Sequence, residues 1–141
     1  MDKIKNNLLK IRDGFSILEG QDKLIYLIDL GKKLDLINEF DCNDSNKIHA
    51  CNSQTWVNII LDKNNVVIMA NSESTIVKGL LKILQIAFNN SEKNSIIDFI
   101  DSFEDGNSLF QWLNIGSSIS SQRQNGFIGS LEHIKKELIN A

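Results

Sequence analysis

Apolar residues recur along this chain with two different periods, and the switch between them divides it. Ile4, Leu8, Ile11, Phe15 and Leu18 advance by four, three, four and three residues, which is one stripe of an α-helix over residues 3–18. A second helical stripe, Leu24, Leu27, Ile28, Leu34 and Ile37, predicts a helix over about 22–37 with Lys23, Asp29, Lys32 and Lys33 turned outward. Gly31 falls inside that pattern, where glycine costs roughly 1 kcal/mol relative to alanine, and a close helix contact would account for it. Residues 38–47 have no period and are rich in Asn, Asp and Ser, whose side chains compete for backbone hydrogen bonds, so they read as a surface loop. From Thr55 the period becomes two. Trp56–Leu61 and Val66–Ala70 are runs of β-formers joined by Asp62-Lys63-Asn64-Asn65, a turn sequence tolerant of positive φ. They predict a hairpin, and a short stretch near 47–50 is the expected third strand.

The helical period then returns. Asn71-Ser72-Glu73-Ser74-Thr75 offers capping side chains, and residues 76–88 are apolar almost all round. Polar relief comes from Lys78, Lys82, Gln85 and Asn89, one narrow stripe. A helix with so thin a polar face is buried on most sides and is expected to be the central one, packed on the sheet. Shorter helices are expected at about 92–101 and 107–113, with a connector over 114–119. Ser120 reads as the cap of a terminal helix whose inner stripe is Phe127, Leu131, Ile134 and Leu138, with Glu132, Lys135, Lys136 and Glu137 facing water.

Composition narrows the function classes. The chain has 141 residues, 42% hydrophobic and 23% charged, with a net charge of −3. That length suits a single domain, and no basic footprint for nucleic acid is present. No apolar run is long enough to span a membrane, and residues 1–7 lack the apolar core of a signal peptide, so a cytoplasmic setting is expected. There the two cysteines, Cys42 and Cys51, are expected to stay free thiols. The absence of proline and the abundance of isoleucine (21) and asparagine (17) read as a codon bias.

Cys51 carries the chemistry most open to use. It stands at a strand junction among His49, Asn52, Ser53 and Gln54, and a thiol in a polar loop is both reachable and ionisable. In an extended segment His49 would face the same way as Cys51, and its imidazolium would favour the thiolate. Cys42, His49 and Cys51 follow no zinc-ligand spacing and have no evident fourth ligand. No Ser/His/Asp order, phosphate-cradling loop or zinc-protease helix occurs. Arg123, one of two arginines, falls in the first turn of the terminal helix, where the macrodipole disfavours a cation. That placement points to a tertiary partner or a binding role. Glu73 precedes the central helix and suits its dipole, and Lys78 with Lys82 reads as a solvated stripe.

Three separated motifs carry a resemblance. Ala50-Cys51-Asn52-Ser53-Gln54-Thr55-Trp56 resembles the Gly-Cys-x-Ser-x-x-Trp signature of SufE-like sulfur acceptors. Ile76-Val77-Lys78-Gly79-Leu80 and Arg123-Gln124-Asn125-Gly126-Phe127 match two further elements of that family, in order and over nearly the whole chain. The resemblance implies an α+β fold: two N-terminal helices, a small three-stranded antiparallel sheet, then several helices, in one domain over 1–141. It implies that Cys51 takes persulfide sulfur from a PLP-dependent cysteine desulfurase of the SufS type. The sulfur then passes to an iron–sulfur scaffold of the SufB type. His49, Glu73, Lys78 and Arg123 would support the thiol or face the partner. The PLP belongs to the desulfurase, and no cofactor is expected on this chain. A CsdE-like acceptor for another desulfurase, an IscU-type cluster scaffold, an adaptor with an inert cysteine and a homodimer all stay open. Ala50 replaces the family's usual glycine, Ser121 stands where a proline is common, and Cys42 lies outside the motif.

Overall fold

The computed structural model describes residues 2–116 and 119–141. Its elements are α1 (Asp2–Ser16), α2 (Gln21–Gly31), β1 (Thr55–Asp62), β2 (Asn65–Ser72), α3 (Thr75–Phe88), β3 (Ser91–Glu92), α4 (Lys93–Asp101), α5 (Gly106–Trp112) and α6 (Ser121–Ile139). This is the expected α+β order, two helices, a three-stranded antiparallel sheet and a run of helices. Of the expected connector 114–119, residues 117 and 118 lie outside the described residues.

The hairpin forms where the period of two placed it. Lys63 and Asn64 both take positive φ (50° and 76°), the two-residue turn whose twist matches that of paired strands. Thr55 pairs with Ser72, Val57 with Ala70 and Ile59 with Ile68, so one face carries Thr55, Val57, Val66, Ile68, Ala70 and Ser72, all buried. The third strand, however, is not at 47–50. It is β3, two residues long, on the outer edge of β2 in the order β1-β2-β3. The 47–50 segment contributes one bridge, Lys47 to Trp56, and then turns away.

A two-residue β3 leaves most of the edge of β2 without a strand partner; the 35–37 segment serves it at Ala70, and α3 with its cap serves it at Ile68. Gln85, on the narrow polar stripe of α3, is buried. Its Nε2 donates to the carbonyls of Ile68 and Asp35, at 3.0 and 2.9 Å, and its Oε1 accepts from the Asp35 amide at 3.0 Å. Asn89 Oδ1 accepts from the Ile68 amide at 2.8 Å. Two polar side chains at the helix and its C-terminal cap thus stand in for a missing strand. A buried amide left unpaired costs about 1–3 kcal/mol, so these residues belong to the core despite their polarity.

The second helix ends six residues earlier than the stripe suggested. α2 stops at Gly31, and Leu34 and Ile37 are buried from the segment that follows, which pairs with β2 through Ile37 N to Ala70 O. Gly31 is where α2 meets α3. A Cβ there would lie 2.7 Å from the Gly79 amide nitrogen, and one on Gly79 would strike the Leu27 carbonyl. Two glycines let the two helix backbones touch, which explains both of them. Within 38–47 the expected loop contains two short 3-10 turns, Glu39–Asp41 and Asp44–Asn46, capped by the side chains of Asn38 and Asn43.

α3 is the centre. It touches α1, α2, α6 and β2, and Val77, Leu80, Leu81, Ile83, Leu84, Ala87 and Phe88 are all fully buried on it. Each large one contributes about 1.5–3 kcal/mol from area removed from water. α6 lies across α3 and β1 and buries Phe127, Leu131, Ile134 and Leu138, the predicted stripe. Among the described residues no helix is long and apolar enough to cross a membrane.

Candidate functional site

The segment from Ile48 to Thr55 is a closed loop. Its ends are tied by the Ile48 amide donating to the Thr55 carbonyl at 2.8 Å. Its return limb is tied to the start of α3 by the Glu73 amide donating to the Gln54 carbonyl at 3.0 Å. Inside it, the Cys51 amide donates to the Ile48 carbonyl at 3.3 Å. Ile48–Cys51 is therefore a turn rather than the extended segment expected, and the shared facing of His49 and Cys51 does not follow. His49 and Ala50 occupy the exposed tip. His49 lines a shallow cavity with Lys47, Glu132, His133 and Lys136, of which Cys51 is not part.

The turn aims Cys51 inward. Its side chain is half-buried and packs against the apolar core. What receives it is a gap on α6: a Cβ on Gly126 would come within 3.0 Å of Cys51 Sγ. One turn on, a Cβ on Gly129 would meet Ala50 Cβ and Ile48 Cγ2, each at 3.0 Å. The loop therefore lies on α6 only because both positions lack side chains. Val77 of α3 closes the same space, 3.6 Å from where a Gly126 Cβ would be. So the three motifs that are far apart in sequence meet around one sulfur atom: Cys51 itself, Val77 of Ile-Val-Lys-Gly-Leu, and Gly126 of the Arg-x-x-Gly element.

The other candidates lie at different distances along the fold from this seat, and none of them is among the contacts of Gly126 and Thr55 that define it. Arg123 sits one helical turn before Gly126, exposed, with its amide capped by Ser120 and its guanidinium in no ion pair with a described residue. Glu73 is exposed and contributes its backbone to the loop tie. Lys78 is half-buried beside the α2–α3 crossing, lining a small hollow with Gly31, Leu34, Leu36 and Thr75. Lys82 reaches Asp35 at 3.8 Å. His133 is partly buried, with Nε2 3.0 Å from the Val57 carbonyl, and helps hold α6 against β1.

Thr55 and Ser72 escaped the sequence reading. Both are buried, and Thr55 Oγ1 lies within donating distance of Cys51 Sγ, at 3.5 Å, and of the Ser53 carbonyl, at 3.1 Å. The strand pairing runs on to Thr55 opposite Ser72, two residues past the run expected to form the returning strand. Polar residues at two paired core positions were the signal.

A family model described as SufE, an Fe-S metabolism associated domain, matches residues 9–138. The chain belongs to the SufE family. Its place is therefore in iron–sulfur metabolism. The fold is also that of a solved structure described as the solution structure of a hypothetical protein from Thermus thermophilus. The two agree with a TM-score of 0.69 at 13% identity, over 96% of this chain and 95% of that one. At that identity the likeness bears on the fold alone.

Proposed function

We propose that this chain is a sulfur acceptor and activator for a PLP-dependent cysteine desulfurase of the SufS type, with Cys51 as the accepting thiol. The convergence of all three SufE motifs on the Cys51 sulfur is the observation that carries this reading. The desulfurase holds sulfur as a persulfide on its own cysteine. The Cys51 thiolate attacks the terminal sulfur, a new S–S bond forms to Cys51, and the old one breaks with its electron pair leaving on the partner's cysteine. The exchange is redox-neutral and belongs with thiol–disulfide chemistry. The persulfide on Cys51 then goes to an iron–sulfur scaffold of the SufB type.

The seat suits such a carrier. A half-buried sulfur is sheltered from reductants between transfers, and the loop that holds it is short, with an exposed tip at His49 and Ala50. Docking of the partner draws the loop tip outward, with exposed His49 and Arg123 at the contact and Glu73 and Lys78 flanking it. A cluster scaffold is less well supported. Only two cysteines are present, and among the described residues no three His, Cys, Asp or Glu side chains gather where a metal would be held. The test is alanine production from cysteine by the desulfurase, with and without this protein. Wild type stimulates it and Cys51→Ala does not; equal stimulation by Cys51→Ala overturns the proposal.

A further inference from the structure

Taking Cys51 as the acceptor, we propose that Thr55 and Ser72 form a buried hydroxyl relay that delivers a proton donor to the Cys51 sulfur and stabilises it as the attacking anion. The partners available to each hydroxyl fix the direction. Ser72 Oγ accepts from the Ser74 amide at 3.2 Å and lies 2.8 Å from Thr55 Oγ1. Ser72 is buried, and among the described residues Thr55 Oγ1 is the one acceptor for its hydroxyl proton. A buried hydroxyl proton without a partner is costly, so Ser72 donates to Thr55. The Thr55 proton is then left with two acceptors, the Ser53 carbonyl at 3.1 Å and Cys51 Sγ at 3.5 Å.

That choice depends on the charge of the sulfur. A neutral thiol is a weak acceptor, and the carbonyl wins. An ionised sulfur is a far better one, because hydrogen bonds to charged groups are roughly twice as strong. Thr55 then turns to Cys51 without moving its backbone, which the β1–β2 pairing holds. The relay starts at Ser74, the cap of α3, so the donor chain also ties the sulfur to the electropositive end of the central helix.

Of the titratable or charged side chains on the elements that form the seat, His49 stands at the exposed loop tip, Glu73 is exposed beside the loop tie, Lys78 lies beside the α2–α3 crossing and Arg123 is exposed one turn before Gly126 on α6. Among the described residues, Thr55 is the one side-chain donor within reach of the sulfur. The two hydroxyls are therefore positioning groups for the thiolate, distinct from any partner contact.

The test needs no partner. Iodoacetamide alkylation of Cys51 in the isolated full chain is followed against pH by the mass of the Cys51 peptide, so that Cys42 does not contribute. Thr55→Val keeps the branched shape and removes the donor. Its alkylation midpoint moves up by about half to one pH unit, the size expected for the difference between a hydrogen bond to a charged sulfur and one to a neutral carbonyl. Thr55→Ser restores the wild-type profile. Ser72→Ala leaves Thr55 packed and moves the midpoint the same way by less, and it carries the test alone if Thr55→Val fails to fold. Profiles for Thr55→Val, or failing that Ser72→Ala, that superimpose on wild type overturn the relay. Because no desulfurase is present, that result is separate from the Cys51→Ala stimulation assay, whose failure would remove the acceptor role and leave the relay standing as a property of the thiol.

Discussion

The two cysteines of this chain stand nine residues apart and are built to opposite ends. Cys42 closes the 3-10 turn Glu39–Asp41, with its amide on the Glu39 carbonyl at 3.1 Å and its sulfur toward the Asn38 carbonyl at 3.8 Å. Desolvation, and then the carboxylates of Glu39 and Asp41, push its thiol above the ordinary value. All three disfavour a thiolate. Cys51 has a hydroxyl donor at its sulfur, a gap on α6 cut to receive it and a loop tied at both limbs. The contrast teaches that a thiol's use is set by the groups its fold brings near. Both residues are free, partly exposed cysteines in Asn- and Ser-rich sequence, so neither exposure nor local composition tells them apart.

The difference breaks most severely at Gly126. Gly126→Val puts a branched side chain where even a Cβ lies 3.0 Å from Cys51 Sγ. Overpacking of that kind costs about 1–3 kcal/mol of stability, read as a lowered denaturant midpoint. The displaced sulfur becomes several times faster to alkylate at neutral pH, while the Cys42 rate stays as it was. Unchanged Cys51 alkylation in this variant would mean that α6 does not seat the sulfur. A smaller effect sharpens the Cys42 side. Its raised pKa means less thiolate at any given pH, so its alkylation reaches half-maximum above the pH of an unhindered cysteine peptide. Glu39→Gln with Asp41→Asn, by removing the two negative charges, brings that midpoint down by a few tenths of a unit and leaves the Cys51 profile alone. A rise would contradict the assigned cause.

Much of this was legible in the sequence. The hairpin, α3, the stripe of α6 and its Ser120 cap follow from apolar spacing and capping chemistry, which act locally. What was hidden depends on partners distant in sequence. The third strand could not be found at Ser91–Glu92, because two residues carry no period. Gln85 read only as part of the polar stripe because the need it meets, the open edge of β2, arises only once β3 is seen to be short. Extending helix α2 to Ile37 failed for a related reason. Leu34 and Ile37 are buried as predicted, but from a segment pairing with β2 rather than from a helix.

The candidate site divides in the same way. Cys51 was found from its polar neighbours and its motif. The motif glycines Gly79 and Gly126 stood out as pattern, and their physical purpose, a helix crossing and a sulfur seat, needed the fold. His49 was placed beside the thiol on the assumption of an extended chain, and the Ile48–Cys51 turn removed that basis. Thr55 and Ser72 went unseen since a hydroxyl in a strand is ordinary until its pair across the hairpin is known.

The central claim is that Cys51, and not Cys42, receives the sulfur. The direct measurement is to incubate the protein with a PLP-dependent cysteine desulfurase of the SufS type and cysteine, without reductant. Both cysteine peptides are then weighed after digestion under conditions that trap persulfides. The account predicts one added sulfur atom on the Cys51 peptide and none on the Cys42 peptide. Added sulfur on Cys42, or none on Cys51 while the desulfurase turns over, would contradict it.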